Sequence, residues 1–432
     1  MDQVIYDNLL ASCYLLAWGV TLVIYQYKSR TLDAGTSIIA TYVMYAVFSL
    51  LTLNDIMFSD LYMPLTLFPY VYLYCMLIIA LSPTIYTHLK PSKKIESPNT
   101  RLLIAISAII FICSLMLSPE IISNFNQGVI KLFTDTGAGK ESYMERIEEA
   151  SESGSSISNI PAIIYHSLAD IAIFLFYYHL TLKKKNVWIL FMLGFALLIG
   201  ILLPVMYGQR SGIVSAILTN IATYMLFRRY ISIKTNRTIQ IIGVTCVIAA
   251  AMPIAAITVS RFSNMGGGVA GFINWYVGQS SLYFNNFALD AGGSRHGDRT
   301  FNLAKRLIDS ETPKNYVERR DKYHNLNIDD DIYSTFVGDF VIDFDPISAV
   351  FIFVVFNGII IYLIRPRDGT HKLHQILLLH FTICVCMQGG MSLYSYADGG
   401  NLRILTLLML YGYLRYHEIL QKRFPLYNKY SQ

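Results

Sequence analysis

Long apolar runs separated by short polar links make up most of this 432-residue sequence. Most runs are continuous over about 17 to 23 residues, the length with which an α-helix crosses roughly 30 Å of hydrocarbon. Strands of a membrane barrel would show shorter segments of alternating polarity instead. The pattern therefore predicts an all-α, polytopic membrane protein with about 11 transmembrane helices. We place them at 4–25, 37–54, 65–86, 102–118, 161–181, 187–207, 212–227, 239–259, 346–364, 374–392 and 402–416.

The polar links alternate in charge along the chain. A basic link follows every odd-numbered predicted helix, beginning with Lys28 and Arg30 after the first. The link after the second helix contains Asp55 and Asp60 and no Lys or Arg. Because basic links remain on the cytoplasmic side, the N-terminus is predicted to lie outside and the C-terminus in the cytoplasm.

Composition supports a membrane protein without nucleic-acid or metal chemistry. Hydrophobic residues make up 54% of the chain and charged residues 15%, with a mean hydropathy of +0.44. Soluble domains carry about 25% charged residues. The net charge of +5 is accounted for by the basic links, so no nucleic-acid partner is predicted. All six cysteines fall in apolar runs, and neither a disulfide framework nor a metal or other cofactor is predicted.

Two external links are long, and they suggest a division of the chain into 1–259, 260–345 and 346–432. The acidic segment 119–160 is expected to be a solvated helix and linker, and we assign it no chemistry. The loop 260–345 is too long for a simple connector. Its aromatic residues fit an amphipathic helix at the membrane interface. They are Phe272, Trp275, Tyr276, Tyr283, Phe284 and Phe287.

Three arginines are predicted near the outer membrane face. Arg210 lies in a glycine-flanked turn between two spans, Arg261 closes one span, and Arg403 opens another. A charge at that depth is unfavourable unless it is paired or liganded. These arginines either bind a shared anion, for which a diphosphate is well suited, or extend separately towards the headgroups.

The large external loop holds two further groups of titratable residues. Arg295, His296, Asp298 and Arg299 lie between glycines, in either a polar surface turn or a site. Asp339 and Asp343 are four residues apart, so a helix would place both carboxylates on one face. Such a carboxylate could act as a general base or could pair with an arginine, and the sequence leaves both possibilities open.

The order of these motifs resembles that of the Wzy-type oligosaccharide repeat-unit (O-antigen) polymerases. The resemblance consists of many spans and three motifs: Gly-x-Arg-Ser-Gly at 208–212, Gly-Asp-Arg-Thr-Phe at 297–301, and Ser-Thr-Phe-x-Gly-Asp-x-x-x-Asp-Phe at 334–344. It covers roughly residues 190–410. Where the family is expected to have Asp-Phe-Gly, this chain has Asp343-Phe344-Asp345. Whether Asp343 or Asp345 corresponds to the acid of that motif stays open at this point.

The resemblance implies a GT-C-like glycosyltransferase of the bacterial inner membrane that acts on the periplasmic side. Such enzymes join repeat units carried on undecaprenyl diphosphate, without a metal. The implied partners are the lipid bilayer, the lipid-linked glycan, and the chain-length regulator and flippase of the same pathway. The residues implied in binding the diphosphate are Arg210, Arg261, Arg295, Arg299 and Arg403. The candidate bases for the acceptor hydroxyl are His296, Asp339 and Asp343.

Two other functions use similar parts. An O-antigen ligase would pass the glycan to a lipid A core, and the sequence does not separate it from a polymerase. A flippase or small-solute transporter would more often show an internal repeat or charges at mid-bilayer. We find no clear repeat, and Asp170 is the exception among nearly uncharged spans.

Overall fold

A computed structural model shows a mostly helical protein. The structure describes residues 3–62, 64–89, 92, 94–96, 100–134, 160–206, 209–262, 268–330, 332–366, 369–393 and 397–423. Its helices are α1 (Gln3–Ser29), α2 (Ala34–Leu53), α3 (Leu67–Leu89), α4 (Thr100–Thr134), α5 (Ile160–Thr181), α6 (Val187–Met206), α7 (Arg210–Phe227), α8 (Ile233–Phe262), α9 (Gly268–Tyr283), α10 (Asn302–Arg306), α11 (Tyr316–Lys322), α12 (Thr335–Phe344), α13 (Pro346–Leu363), α14 (Leu373–Gln388) and α15 (Ala397–Arg423). Most of the acidic segment 119–160 lies outside the described residues.

Within the described ranges, eight helices are long and apolar enough to cross a membrane. They are α1 to α6, α8 and α13. This confirms that the apolar runs form helices of membrane-spanning length. The three remaining predicted spans coincide with α7, α14 and α15. Helix α14 is apolar but has only 16 residues, and α15 carries several charges. The count of 11 therefore stays a prediction.

A short pair of strands departs from the all-α prediction. Strand β1 (Lys94–Glu96) pairs in parallel with β2 (Thr370–Lys372). Both strands lie in links that the charge pattern assigns to the cytoplasm. Next to them, His371 Nδ1 lies 2.6 Å from Ser92 Oγ. Three residues are too few for a periodic signal, which is why the sequence pattern did not predict these strands.

Packing divides the chain into two units that interleave along the sequence. Unit 1 contains Met1–Pro91, Ala270–Pro366 and Leu378–Ile404; unit 2 contains Ser92–Val269, Arg367–Leu377 and Leu405–Gln432. This division follows contacts between helices, so it differs from the three consecutive segments proposed above.

Stacked aromatic rings form the interior of unit 1. The Tyr14 ring stacks on Tyr70, and Trp18 stacks on Tyr42, each at 4.8 Å between centroids. The Tyr42 hydroxyl donates to the Cys386 carbonyl at 2.8 Å, which ties α2 to α14. Because lipid tails are as apolar as a protein interior, such close packing and hydrogen bonding hold membrane helices together.

Helix α9 packs directly against α2 at Gly278. A Cβ atom at this position would lie 2.3 Å from the Phe48 carbonyl oxygen, so only glycine fits. Ser49 Oγ donates to the Gly278 carbonyl at 2.6 Å. A helix thus occupies the segment in which the aromatic residues predicted one, while its position at a membrane interface stays a prediction. Its rings, however, pack within the protein: Trp275 stacks on Phe58 at 5.3 Å.

The segments that the charge pattern places outside meet at one end of unit 1. Asp7, near the start of α1, accepts the backbone N–H of Leu65 at 3.0 Å. The Asn285 side chain accepts the backbone N–H of Thr66 at 2.9 Å. Asn401, near the start of α15, donates its amide to the Thr300 carbonyl at 2.9 Å. The large loop therefore covers this end of the unit 1 helices.

Unit 2 is built from α4 to α8 with parts of α14 and α15. The Tyr165 hydroxyl donates to the Ala196 carbonyl at 2.6 Å and joins α5 to α6. Val205, Ile213 and Ala250 form a small buried cluster between α6, α7 and α8.

Candidate functional site

The large loop brings two of the resemblance motifs into contact. The segment Gly297–Phe301 lies against α12, which contains the second motif. The predicted helix is confirmed, and both of its carboxylates, Asp339 and Asp343, are fully buried. Charged side chains surround both carboxylates.

Asp343 fixes the glycine-flanked segment to α12. Its Oδ1 accepts from Arg295 Nε at 2.8 Å, and its Oδ2 accepts the backbone N–H of Thr300 at 2.7 Å. The Arg295 backbone N–H donates to the Ile342 carbonyl at 3.0 Å. Both carboxylate oxygens are thereby used to hold the loop.

Asp339 lies one helical turn earlier and contacts Arg299. The two side chains are separated by 3.1 Å, between Oδ1 and Nε. Its Oδ2 accepts the backbone N–H of Leu393 at 2.6 Å. Burial raises the pKa of the Asp339 carboxyl above its ordinary value, and it outweighs the nearby guanidiniums, which act to lower that pKa. Asp339 can therefore hold a proton at higher pH than an ordinary aspartate.

Asp330 joins three arginines. Its Oδ1 accepts from Arg295 Nη1 at 2.5 Å and lies 3.4 Å from Arg299 Nη1, and its Oδ2 accepts from Arg319 Nε at 2.8 Å. Burial acts to raise the pKa of Asp330, but the three guanidiniums outweigh it and hold that pKa below its ordinary value. Neither Asp330 nor Arg319 was predicted from the sequence. The one signal in the sequence was a run of three aspartates, 329–331, which ends shortly before the motif at 334–344 but lies outside it.

Together these residues form what we call the ion cluster. Its members are Arg295, Arg299, Arg319, Asp330, Asp339 and Asp343. Three positive and three negative charges balance when every carboxyl is ionised, and protonation of Asp339 leaves one net positive charge. Arg295 Nη2 has no hydrogen-bond partner among the described residues. This nitrogen is buried, as is the whole Arg295 side chain.

A second set of charges surrounds Asp298, and we call it the lysine cluster. The Asp298 carboxylate pairs with Lys305 and accepts from Lys322 Nζ at 2.9 Å and from the Tyr323 hydroxyl at 2.7 Å. Burial opposes ionisation, but these donors hold the pKa of Asp298 below its ordinary value. The Tyr323 hydroxyl also contacts the Arg295 carbonyl at 3.0 Å, so the two clusters adjoin.

His296 lies outside both clusters and is exposed. Its backbone takes the left-handed conformation, with φ of 51°, directly before Gly297 at φ of 81°. A Cβ atom at Gly297 would lie 3.1 Å from the Phe344 ring. The turn therefore packs tightly beneath His296 while leaving its imidazole at the surface. Among the three candidate bases, His296 is the exposed one.

Asp345 caps α13. Its carboxylate accepts the backbone N–H groups of Ile347 and Ser348, each at 2.9 Å. Its φ of 69° and ψ of 159° belong to a region that is otherwise almost exclusive to glycine. This agrees with the glycine expected at this position. Of the two acids left open above, Asp343 belongs to the ion cluster and Asp345 ends the helix.

The other predicted arginines are spread over both units. Arg403, in unit 1, is half-buried on α15, two residues after Asn401. Arg210 begins α7 and Arg261 lies near the end of α8, both in unit 2. The side chains of these two arginines lie outside the described residues, so their convergence with the others stays a prediction.

Gly212 explains part of the Arg210 motif. A Cβ atom at Gly212 would lie 2.8 Å from Pro204 Cβ, so glycine lets α7 start close to the end of α6. The close contact between Gly212 and Pro204 therefore keeps the turn that carries Arg210 short.

The fold and the site together define a helical membrane-embedded protein with a charged, partly buried loop structure at one end of its unit 1 helices. Comparison of the chain with protein-family models, with curated proteins and with solved structures gives no match in any of the three.

Proposed function

We propose that this protein is a membrane glycosyltransferase that polymerises undecaprenyl-diphosphate-linked oligosaccharide repeat units. One observation carries the proposal: two of the motifs on which the resemblance rests pack against each other as one ion cluster at the end of apolar helices. In this proposal the protein lies in a bacterial inner membrane with a periplasmic N-terminus and a cytoplasmic C-terminus. The large loop then faces the periplasm.

His296 is the proton acceptor in the proposed reaction, because it is exposed while Asp339 and Asp343 are buried in ion pairs. It removes the proton from a hydroxyl of the incoming unit. That oxygen attacks the anomeric carbon of the growing glycan, and the bond from this carbon to the diphosphate oxygen breaks. Undecaprenyl diphosphate leaves with the bonding electron pair, and its added negative charge needs fixed positive charge nearby.

The arginines supply that positive charge. Arg295 and Arg299 are buried and engaged by carboxylates, so they act through the field of the ion cluster. Direct contacts to the diphosphate are proposed for Arg210, Arg261 and Arg403. Guanidinium groups suit this role since they bind phosphate oxygens in pairs.

The direct test is synthesis. Purified protein in lipid nanodiscs is incubated with lipid-linked repeat units, and the products are separated by size. We expect a ladder of multiples of the unit. His296→Ala should lower the rate by about 100-fold or more, as expected for loss of a general base. His324→Ala is the matched control, because His324 is another exposed histidine of the same loop. Equal rates for the two variants would remove His296 from the mechanism.

A second variant tests the diphosphate site. In cells, Arg210→Ala should abolish polymer while product carrying a single unit persists. Arg237→Ala serves as the control, since Arg237 is an exposed arginine of unit 2 in a basic link. Normal chain lengths in Arg210→Ala would exclude Arg210 from the reaction.

The same assay separates the alternatives. A ligase would transfer a preformed glycan to an added lipid A core and would give no ladder from repeat units alone. A flippase or transporter would form no new glycosidic bond with either acceptor.

A further inference from the structure

A cavity of about 320 Å³ lies beside the ion cluster in unit 1. Its walls include Tyr62, from a short turn before α3, and Tyr283 and Phe287, from the end of α9 and the following turn. The segment Leu326–Asp329 closes another side. The volume is near the lower end of the range of about 300 to 1,000 Å³ for small-molecule sites, so it suits a single ring better than a chain of rings.

The aromatic walls are held in place by hydrogen bonds. The Tyr62 hydroxyl accepts from Trp275 Nε1 at 2.8 Å. The Tyr283 hydroxyl accepts the backbone N–H of Asp329. Both tyrosine rings are almost completely buried, so they support the wall from behind. Phe287 is half-buried and is the aromatic ring of the lining that a ligand can reach.

The lining of the cavity also includes polar residues. Asn327 and Asp329 are both exposed. A pyranose ring likewise combines apolar and polar surface, with C–H groups on its faces and hydroxyls around its edge. The negative face of an aromatic ring attracts such C–H groups, and carboxylate and amide groups bind neighbouring hydroxyls.

We propose that this cavity binds one pyranose ring of the glycan substrate. The proposal rests on the proposed function for the identity of the ligand. Asp329 lines the cavity while the adjacent Asp330 lies in the ion cluster, so a ring bound here is directly next to the candidate site. A sugar of the glycan bound in this cavity would position the reacting hydroxyl or anomeric carbon at the candidate site.

Binding can be measured without turnover. The full-length protein in nanodiscs is mixed with a panel of methyl pyranosides of gluco, galacto and manno configuration, and saturation-transfer NMR detects binding. We expect at least one pyranoside to bind, with the strongest transfer to its ring C–H protons. Phe287→Leu keeps an apolar side chain but removes the aromatic face, and it should weaken binding about tenfold. Phe351→Leu, at an exposed position on α13, is the matched control and should change nothing.

A second pair of variants tests the polar residues of the lining. Asp329→Asn should change the ranking of the pyranosides, because a carboxylate accepts from two hydroxyls whereas an amide accepts and donates. Asp321→Asn, at another exposed aspartate of the loop, should leave the ranking unchanged. This pair also gives an answer if Phe287→Leu fails to fold.

Three results would overturn the proposal. Either no pyranoside binds the wild-type protein, or binding is unaffected by both Phe287→Leu and Asp329→Asn, or farnesyl diphosphate displaces the sugar, which would assign the cavity to the isoprenoid lipid. The polymerase proposal fails separately, through the absence of a ladder in the synthesis assay. Sugar binding without a ladder would reject the polymerase alone, and a ladder without cavity-dependent binding would reject the cavity alone.

Discussion

The ion cluster and the lysine cluster lie in the same loop, but the cations that pair with their buried carboxylates differ in type and in exposure. In the ion cluster, arginine side chains are 0 to 6% exposed and each contacts at least one buried carboxylate. In the lysine cluster, Asp298 is fully buried, yet Lys305 and Lys322 are 27% and 36% exposed. A guanidinium can bridge two carboxylates in a dry site, whereas an ammonium keeps part of its hydration. The two clusters should therefore differ in how much they stabilise the loop.

The largest effect is expected at Asp330. Removing one partner of a buried ion pair leaves uncompensated charge, which costs about 3 to 5 kcal/mol. Asp330→Ala leaves three guanidiniums with less negative charge near them, so the loop should unfold locally. Thermal unfolding and limited proteolysis in nanodiscs measure this. Asp321→Ala is the control, and an equal effect in both variants would mean that Asp330 is not the centre of the cluster.

A smaller loss is expected for Arg295→Lys. Arginine contacts Asp343 and Asp330 at the same time, and a lysine point charge cannot reproduce both contacts. The loss should be about 1.5 to 3 kcal/mol, the value of one hydrogen bond between charged groups. Chemical denaturation of the two proteins gives the difference. If lysine restored full stability, the planar bridging geometry would be irrelevant.

Acid should weaken the loop through both clusters. The pKa values of Asp330 and Asp298 are lowered on folding, so their stabilisation is present above the ordinary aspartate pKa of about 4. It is lost as the pH falls through the lowered values. Asp339, whose pKa is raised, acts in the opposite sense, since its contribution is lost as the pH rises. Unfolding midpoints at pH 6, 5, 4 and 3 should therefore fall less steeply for Asp330→Asn than for wild type. If the unfolding midpoints of Asp330→Asn and wild type fell in parallel with pH, Asp330 would not have the lowered pKa assigned to it.

The smallest effect is expected for Lys322→Met. Partly exposed ion pairs stabilise by about 0.2 to 1 kcal/mol, and Lys305 and Tyr323 remain at Asp298. Added salt should reduce the difference from wild type further. A loss comparable to that of Arg295→Lys would show that the lysine cluster is as strongly coupled as the ion cluster.

Most of the fold prediction rests on the local pattern of apolar and polar residues in the sequence. Continuous apolar runs predicted helices of membrane-spanning length, and the four-residue spacing of Asp339 and Asp343 predicted a shared helical face. Both depend on neighbours within the same helix. The positive-φ corner at Asp345 was not predicted, because an aspartate gives no local signal for that conformation.

The partners within the site could not be predicted in the same way. Arg295 and Asp343 are 48 residues apart, and nothing in the intervening chain has a period that would define their contact. Asp330 lies in an irregular segment, and only its three-dimensional surroundings distinguish it from Asp329. Asn401, two residues before Arg403, contacts Thr300 of the loop, while the convergence of Arg403 with the other arginines stays a prediction.

The corner at Asp345 has a mechanical consequence. A single residue separates α12, which carries both buried carboxylates, from the apolar helix α13. The Asp345 side chain is hydrogen-bonded to the first turn of α13, so the connection between the two helices is short and constrained. We therefore expect a tilt or rotation of α13 in the bilayer to displace Asp343, and through it the segment that presents His296. A change in membrane thickness or tension should alter the geometry of the large loop.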